Sequence, residues 1–249
     1  MFNQIKPGHV LRFGTCPSTI VSPAGAPNPS TNNNTLATPW PTTSNLGLVQ
    51  CLSHPSGNIG PIAADVATRL RTTPGSTART VSYSAPGRLF TASNRAVGSQ
   101  QCHFVGYVDG QSNYIQSAQT VFSKDFSGCL MVVYTIAGQR HVAHAAASHV
   151  PAMNCKQAFL TTIQGQHAVL VGWFRPFVSA LHSARKANAF GVIGQYVGHQ
   201  INNLTTFGVV TDTNVAYSID AFKPNGVVGN DWVVTDVTAH ALSQSWVAP

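Results

Sequence analysis

Residues 126–146 read FSGCLMVVYTIAGQRHVAHAA, a pattern that predicts a β-hairpin. The apolar, β-branched run Leu130–Ile136 predicts a buried strand, residues 137–139 predict a turn, and Arg140–Ala146 predict the returning strand. The resulting hairpin brings Cys129, which follows the small residues Ser127-Gly128, close to a strand that is rich in histidine.

The composition favours a β-rich chain. Charged residues make up 8% of the 249 residues, and the seven acidic residues are all Asp. Exposed helix faces usually carry Glu and Lys, so the scarcity of both residues argues against a mainly helical fold. The hydrophobic fraction of 43% is ample for a packed core. We expect an α+β protein, a β-dominated mixed sandwich with a few flanking helices, in one domain that spans residues 1–249.

The other segments predict further strands, two helices and one long arm. Residues 17–46 are rich in Pro, Ser, Thr and Asn, which is typical of a flexible arm or loop. Composition and apolar spacing predict short helices over 60–72 and 177–186. Extended segments are predicted at 80–84, 88–91, 103–108, 168–174, 189–198, 206–211, 214–219 and 231–238.

Charge and cysteine content argue against several classes of function. The net charge is +7, but the fourteen Lys and Arg are scattered without a basic run, so we expect no nucleic-acid binding. The five cysteines form no CxxC motif, which argues against a metal site or a redox pair. No apolar stretch approaches the ~20 residues of a membrane helix, and the first residues lack a signal-peptide pattern. We expect a monomer without cofactor, metal or membrane span.

Hairpin geometry places His144 on the same face as Cys129. If the turn centres between residues 137 and 138, His144 lies across from Met131, which shares a face with Cys129 because side chains alternate. The two residues are then diagonal neighbours, roughly 7–8 Å apart at Cα. A turn centred one residue earlier would place them directly opposite each other.

The same alternation separates the other two histidines from the thiol. His141 and His149 each differ from His144 by an odd number of residues, so both point to the opposite face. A β-bulge would reverse this assignment, because one extra residue exchanges the faces. His141 therefore stays as the alternative catalytic base.

Cys129 and His144 form a candidate nucleophile–base pair. A thiolate needs backbone amides or a cation to be populated at neutral pH, and Ser127 and Gly128 are candidates for supplying an oxyanion site. The imidazole also needs an orienting acceptor, and the candidates are Ser123, Asp125 or a backbone carbonyl in 119–125.

Residues 120–146 resemble the glutamine deamidase toxins, the family of the cytotoxic necrotizing factor catalytic domain and of Burkholderia lethal factor. The Ser-Gly-Cys motif opens a strand. His144 follows Cys129 at the Cys-to-His spacing of the cytotoxic necrotizing factor domain. The Cys-to-His spacing of Burkholderia lethal factor would instead select His141. Some members of this family use a side-chain hydroxyl as the partner of the catalytic histidine. The residue at the corresponding position here is Ser123.

This resemblance implies a fold and an activity. It implies the deamidase toxin fold and a cysteine hydrolase that converts a glutamine of a target protein into glutamate through a thioester, without a cofactor. It also implies a bacterial effector or virulence toxin that leaves its cell by a specialised route. Such an effector acts in the host cytosol, on a host protein such as a small GTPase or a translation factor.

Two alternatives belong to other classes. A papain-like cysteine protease or a cell-wall amidase places its nucleophile at a helix N-terminus, whereas the β-branched run after Cys129 predicts a strand. A non-catalytic β-sandwich binding module would use the many Thr, Asn and aromatic residues as a docking surface.

Overall fold

The computed structural model describes residues 1–7, 9–13, 46–53, 95–106, 112–147, 155–177, 204–222 and 231–249. These residues form eleven strands, one α-helix and a 3₁₀ helix at Phe2–Gln4. The strands and the helix are β1 (Val10–Phe13), β2 (Leu46–Ser53), β3 (Arg95–Phe104), β4 (Asn113–Gln116), β5 (Thr120–Ser123), β6 (Leu130–Ile136), β7 (Gln139–Ala145), α1 (Cys155–Gly165), β8 (Val169–Phe174), β9 (Leu204–Val210), β10 (Ala216–Phe222) and β11 (Asp231–His240).

The strands form two sheets. Seven close into a barrel in the order β1-β11-β10-β9-β5-β3-β2, and four form an open sheet in the order β4-β7-β6-β8. Neighbouring strands of the described chain run antiparallel, except that β3 pairs with β5 in parallel. The β-rich α+β class expected from the sequence is therefore confirmed.

Three apolar clusters fill the fold, and the open sheet takes part in two of them. The first cluster fills the barrel with residues such as Phe122, Phe207 and Ile219. The second lies between the sheets, where barrel residues such as Val210 meet Met131 and the other residues of that face. The third packs α1 against the opposite face of the open sheet. Because β6 and β7 are covered on both faces, each of their side chains belongs to one of two distinct layers.

The β6–β7 hairpin has the predicted turn. Ile136 pairs with Gln139 and Met131 with His144, so the turn centres between Ala137 and Gly138. Both turn residues have positive φ angles, 50° and 76°, as a two-residue type I′ turn requires. Gln139 belongs to β7 instead of the turn.

Several other elements differ from the sequence expectations. The strands predicted at 168–174, 206–211, 214–219 and 231–238 are present with shifted ends, and β3 begins at Arg95, well before the predicted segment. Strands β1, β2, β4 and β5 and helix α1 were not expected from the sequence. Predictions for 17–45, 60–72, 80–84, 88–91, 178–186 and 189–198 lie outside the described residues, while position 46 opens β2.

Within the described part of the chain, no helix combines the length and the apolar character that crossing a membrane requires.

Candidate active site

A hydrogen bond joins the two sheets at the predicted histidine. Ser123 ends β5 of the barrel, and its Oγ lies 2.7 Å from Nδ1 of His144 in β7 of the open sheet. Both side chains are fully buried, at 0% exposure. A buried imidazole with one nitrogen held by a hydroxyl has a fixed ring orientation. Ser123 is one of the three partners expected from the sequence, and the structure brings these two residues together.

An aromatic ring further restricts the imidazole. The ring of Phe126 lies parallel to that of His144, with 4.1 Å between centroids and 4° between planes. Phe126 in turn rests on Gly208, where an added Cβ would lie 2.8 Å from the ring and 2.9 Å from Sδ of Met131. Gly208 pairs with Ser123 in the barrel. The absence of a side chain at Gly208 therefore lets the open sheet approach the barrel beside the Ser123–His144 bond.

Cys129 immediately precedes β6 and is 3% exposed. It belongs to the apolar cluster between the sheets, together with Phe126 and Met131. Because Met131 pairs with His144 and side chains alternate, the register makes Cys129 the diagonal neighbour of His144. The turn register left open by the sequence is thus the one centred between residues 137 and 138.

Backbone amides and burial act in opposite directions on the thiol. Burial raises the pKa of Cys129, while the backbone N–H groups of Ala147, Ser127 and Cys129 itself and the charge of Lys156 oppose the rise. Burial also lowers the pKa of His144 to about 3. Both shifts favour a neutral thiol and a neutral imidazole over a resting thiolate–imidazolium pair.

The two predicted oxyanion residues differ in their contribution. Ser127 is exposed and supplies a backbone N–H to the thiol. Gly128 is half-buried, does not adopt a left-handed conformation, and would place an added Cβ at an ordinary distance of 3.4 Å from that of Ala147. The structure therefore gives no steric reason for glycine at position 128.

Asp125, the second candidate partner of the histidine, bonds elsewhere. Its Oδ1 accepts a hydrogen bond of 3.0 Å from Oγ1 of Thr205, and its other oxygen lies 3.4 Å from Nζ of Lys124. These contacts assign Asp125 to the link with β9 and leave Ser123 as the hydroxyl that contacts the imidazole.

His141 lies on the opposite face of β7, as the alternation predicts. Its ring stacks on Tyr134 with 5.2 Å between centroids and 14° between planes. Its Nδ1 lies 2.9 Å from the carbonyl oxygen of Gln139 in the same strand. The layer between the sheets therefore holds His144 and not His141. His149 lies outside the described residues.

Two cations near the thiol were not predicted from the sequence. Lys156 is the second residue of α1, and its charge acts on both Cys129 and Arg175. Lys156 and Arg175 lie 27 and 46 residues after Cys129 in the sequence, so no local motif indicates them. Among the described residues, no three His, Cys, Asp or Glu side chains are grouped as a metal site would require.

Comparison of the chain with protein-family models, with curated proteins and with solved structures gave no match.

Proposed function

We propose that the chain is a cysteine-dependent protein deamidase that converts a glutamine side chain of a target protein into glutamate. Cys129 is the nucleophile, His144 the base and Ser123 the residue that orients the imidazole. The observation that carries the proposal is the 2.7 Å contact between Ser123 Oγ and His144 Nδ1. With Nδ1–H donating to the hydroxyl, the tautomer leaves the proton-accepting lone pair on Nε2.

The proposed first step forms a thioester. Sγ of Cys129 attacks the carboxamide carbon, and its proton passes to Nε2 of His144 during the attack. Because the resting thiol and imidazole are both neutral, transfer and attack are concerted. The carboxamide oxygen becomes an oxyanion, and backbone N–H groups near the thiol stabilise it. Ammonia then leaves with the proton from His144.

The second step releases the product. Water attacks the thioester carbon while His144 takes a proton from it, and the proton returns to the sulfur as the carbon–sulfur bond breaks. The products are a glutamate side chain and ammonia, so no oxidant, metal or cofactor enters the balance. The target is a host protein of the kind that the deamidase toxins modify, such as a small GTPase or a translation factor. The proposed site of action is the host cytosol, after export by a specialised route.

The test measures deamidation directly. Proteins of a eukaryotic cell extract are incubated with the wild type and with Cys129→Ala, and peptides are searched for a gain of about one dalton at glutamine. The proposal expects glutamine sites that gain this mass with release of ammonia only in the presence of the wild type. The proposal fails if the wild type modifies no glutamine beyond the level seen with Cys129→Ala.

Two further cysteine variants complete the test. Cys102→Ala removes a buried thiol of the barrel and is the matched control, so it should retain activity. Cys155 begins α1, which is where a papain-like enzyme places its nucleophile. Activity that survives Cys129→Ala and disappears in Cys155→Ala would favour the papain-like alternative.

A further inference from the structure

Two cations, Lys156 and Arg175, lie near the candidate nucleophile Cys129. In the β6–β8 register Met131 pairs with Phe174, so the next residue, Arg175, lies beside the beginning of β6, which Cys129 precedes. Lys156 in the first turn of α1 is close enough for its charge to act on both Arg175 and Cys129. The sulfur and the two positive groups therefore share one end of the open sheet.

Neither cation is neutralised within the described part of the chain. Nε of Arg175 is buried and has no hydrogen-bond partner among the described residues. Lys124 and Asp125 form an ion pair with each other, and neither Lys156 nor Arg175 forms one with a described residue. The first turn of α1 contains no acidic residue. Among the described residues, the two like charges thus lie near each other without an acidic partner.

This arrangement favours the binding of an anion. Burial, and after it repulsion from Arg175, lowers the pKa of Lys156. A buried guanidinium N–H without an acceptor carries a full desolvation penalty. The planar guanidinium matches a carboxylate in geometry, and an ammonium group supplies a second positive charge. The positive end of the α1 dipole acts in the same direction.

We propose that Arg175 and Lys156 bind a carboxylate of the substrate next to the carboxamide that Cys129 attacks. The inference rests on the proposed function and specifies its substrate class: a glutamine flanked by an acidic side chain. The net charge of +7 attracts acidic protein surfaces at longer range. Lys156 and Arg175 are specificity-determining residues in this proposal and take no part in proton transfer.

A pair of alkylating reagents tests the carboxylate site. Iodoacetate carries a carboxylate and iodoacetamide does not, while both react with the same thiolate. The ratio of their rate constants at Cys129, measured by peptide mass spectrometry at pH 8.5, is therefore independent of the thiol pKa. We expect this ratio to exceed that of 2-mercaptoethanol by roughly tenfold, and to fall towards it in Arg175→Gln and Lys156→Gln.

The control variant matches the lost charge. Lys6→Gln removes one positive charge from an exposed position outside the open sheet, and should leave the ratio unchanged. A wild-type ratio equal to that of 2-mercaptoethanol would overturn the carboxylate site, while glutamine deamidation that depends on Cys129 would still uphold the proposed function. An equal fall of the ratio in Lys6→Gln would also overturn it, since the effect would then be a general one of net charge.

A second measurement does not depend on the reactivity of the thiol. The Nε–Hε resonance of Arg175 is followed in ¹⁵N-labelled protein during titration with sodium acetate, against sodium chloride at the same ionic strength. We expect a saturable shift with acetate that Lys156→Gln weakens. If neither reagent labels Cys129, this titration decides the carboxylate site alone, and the absence of an acetate-specific shift overturns it.

Discussion

The two described histidines of β7 lie three residues apart and occupy opposite layers of the molecule. His144 faces the barrel, is fully buried, and contacts a hydroxyl that belongs to the other sheet. His141 faces α1, is half-buried, and contacts a carbonyl oxygen of its own strand. Each stacks on an aromatic ring, Phe126 in one case and Tyr134 in the other.

The difference lies in what fixes each ring. The partner of His141 is two residues away in the same strand, so this contact does not depend on how the sheets pack. The partner of His144 is 21 residues away on a separate sheet, so its orientation depends on how the sheets pack. Pre-organised catalytic groups are held in this second way, by contacts from outside their own element. Four predictions test whether this difference is functional.

The largest expected effect separates the two histidines themselves. His144→Asn should lower the deamidation rate by about 100-fold to 10,000-fold, because it removes the base of the proposed mechanism. His141→Asn should leave the rate nearly unchanged. Ammonia release by the two folded variants, checked by circular dichroism, gives the comparison. Equal losses in both variants would contradict the distinction between the two layers.

The second prediction concerns the dependence of stability on pH. Burial lowers the pKa of His144 to about 3, so between pH 6.5 and 3 the unfolded chain binds a proton there and the folded chain does not. Stability contributed by the neutral imidazole is therefore present above pH 6.5 and lost as the pH falls, by up to roughly 5 kcal/mol.

Urea unfolding at a series of pH values measures this loss. The free energy of unfolding of His144→Asn should fall less steeply between pH 6.5 and 4 than that of the wild type. Some dependence will remain, because burial also lowers the pKa of His9, His103 and His141. Parallel pH profiles for the wild type and His144→Asn would rule out the buried neutral state of His144.

The third prediction uses two serines that each contact a histidine. Ser123 contacts His144 at 2.7 Å, and Ser117 contacts Nδ1 of His103 at 2.6 Å. Ser123→Ala leaves a fully buried imidazole nitrogen without its hydroxyl and should cost about 1–3 kcal/mol in the free energy of unfolding, whereas Ser117→Ala affects a half-buried imidazole and should cost less through that contact. Only Ser123→Ala should also lower the deamidation rate, by roughly tenfold. Retained activity in Ser123→Ala would remove the orienting role of this hydroxyl.

The smallest expected effect comes from the stacked rings. Phe126→Leu removes the ring parallel to His144 and should cost about 0.5–1.5 kcal/mol beyond the loss of buried area. It should also lower the deamidation rate a few-fold, since the imidazole gains freedom to tilt. Tyr134→Leu removes the ring beside His141 and should reduce stability without a comparable change in rate. A larger fall in rate for Tyr134→Leu would reverse the comparison.

The β6–β7 hairpin and the face on which each of its side chains lies were predictable, because both are local properties of the sequence. The β-branched run Leu130–Ile136 and the small-residue turn determine the pairing of β6 with β7, and alternation then separates His141 from His144. Ser123 could be named as a candidate because it precedes the thiol by only six residues.

Features that depend on distant segments were not predictable from local patterns. The parallel pairing of β3 with β5, which carries Ser123 into the barrel, has no signal in either strand. The neutral state of the Cys129–His144 pair depends on burial that only the packed sheets produce. Helix α1 does show an apolar spacing at Cys155, Phe159, Leu160 and Ile163, but its first turn lacks the acidic residue that often marks a helix start.

The hydrogen bond between Ser123 and His144 spans two sheets that meet at Gly208. A chain in which only the barrel or only the open sheet has formed holds either the hydroxyl or the imidazole in place, but not both. In the proposed mechanism deamidation would therefore be absent throughout synthesis and early folding, because the thiol would lack its oriented base. Catalytic activity would begin only when the two sheets pack together, so that folding itself would act as the activation step.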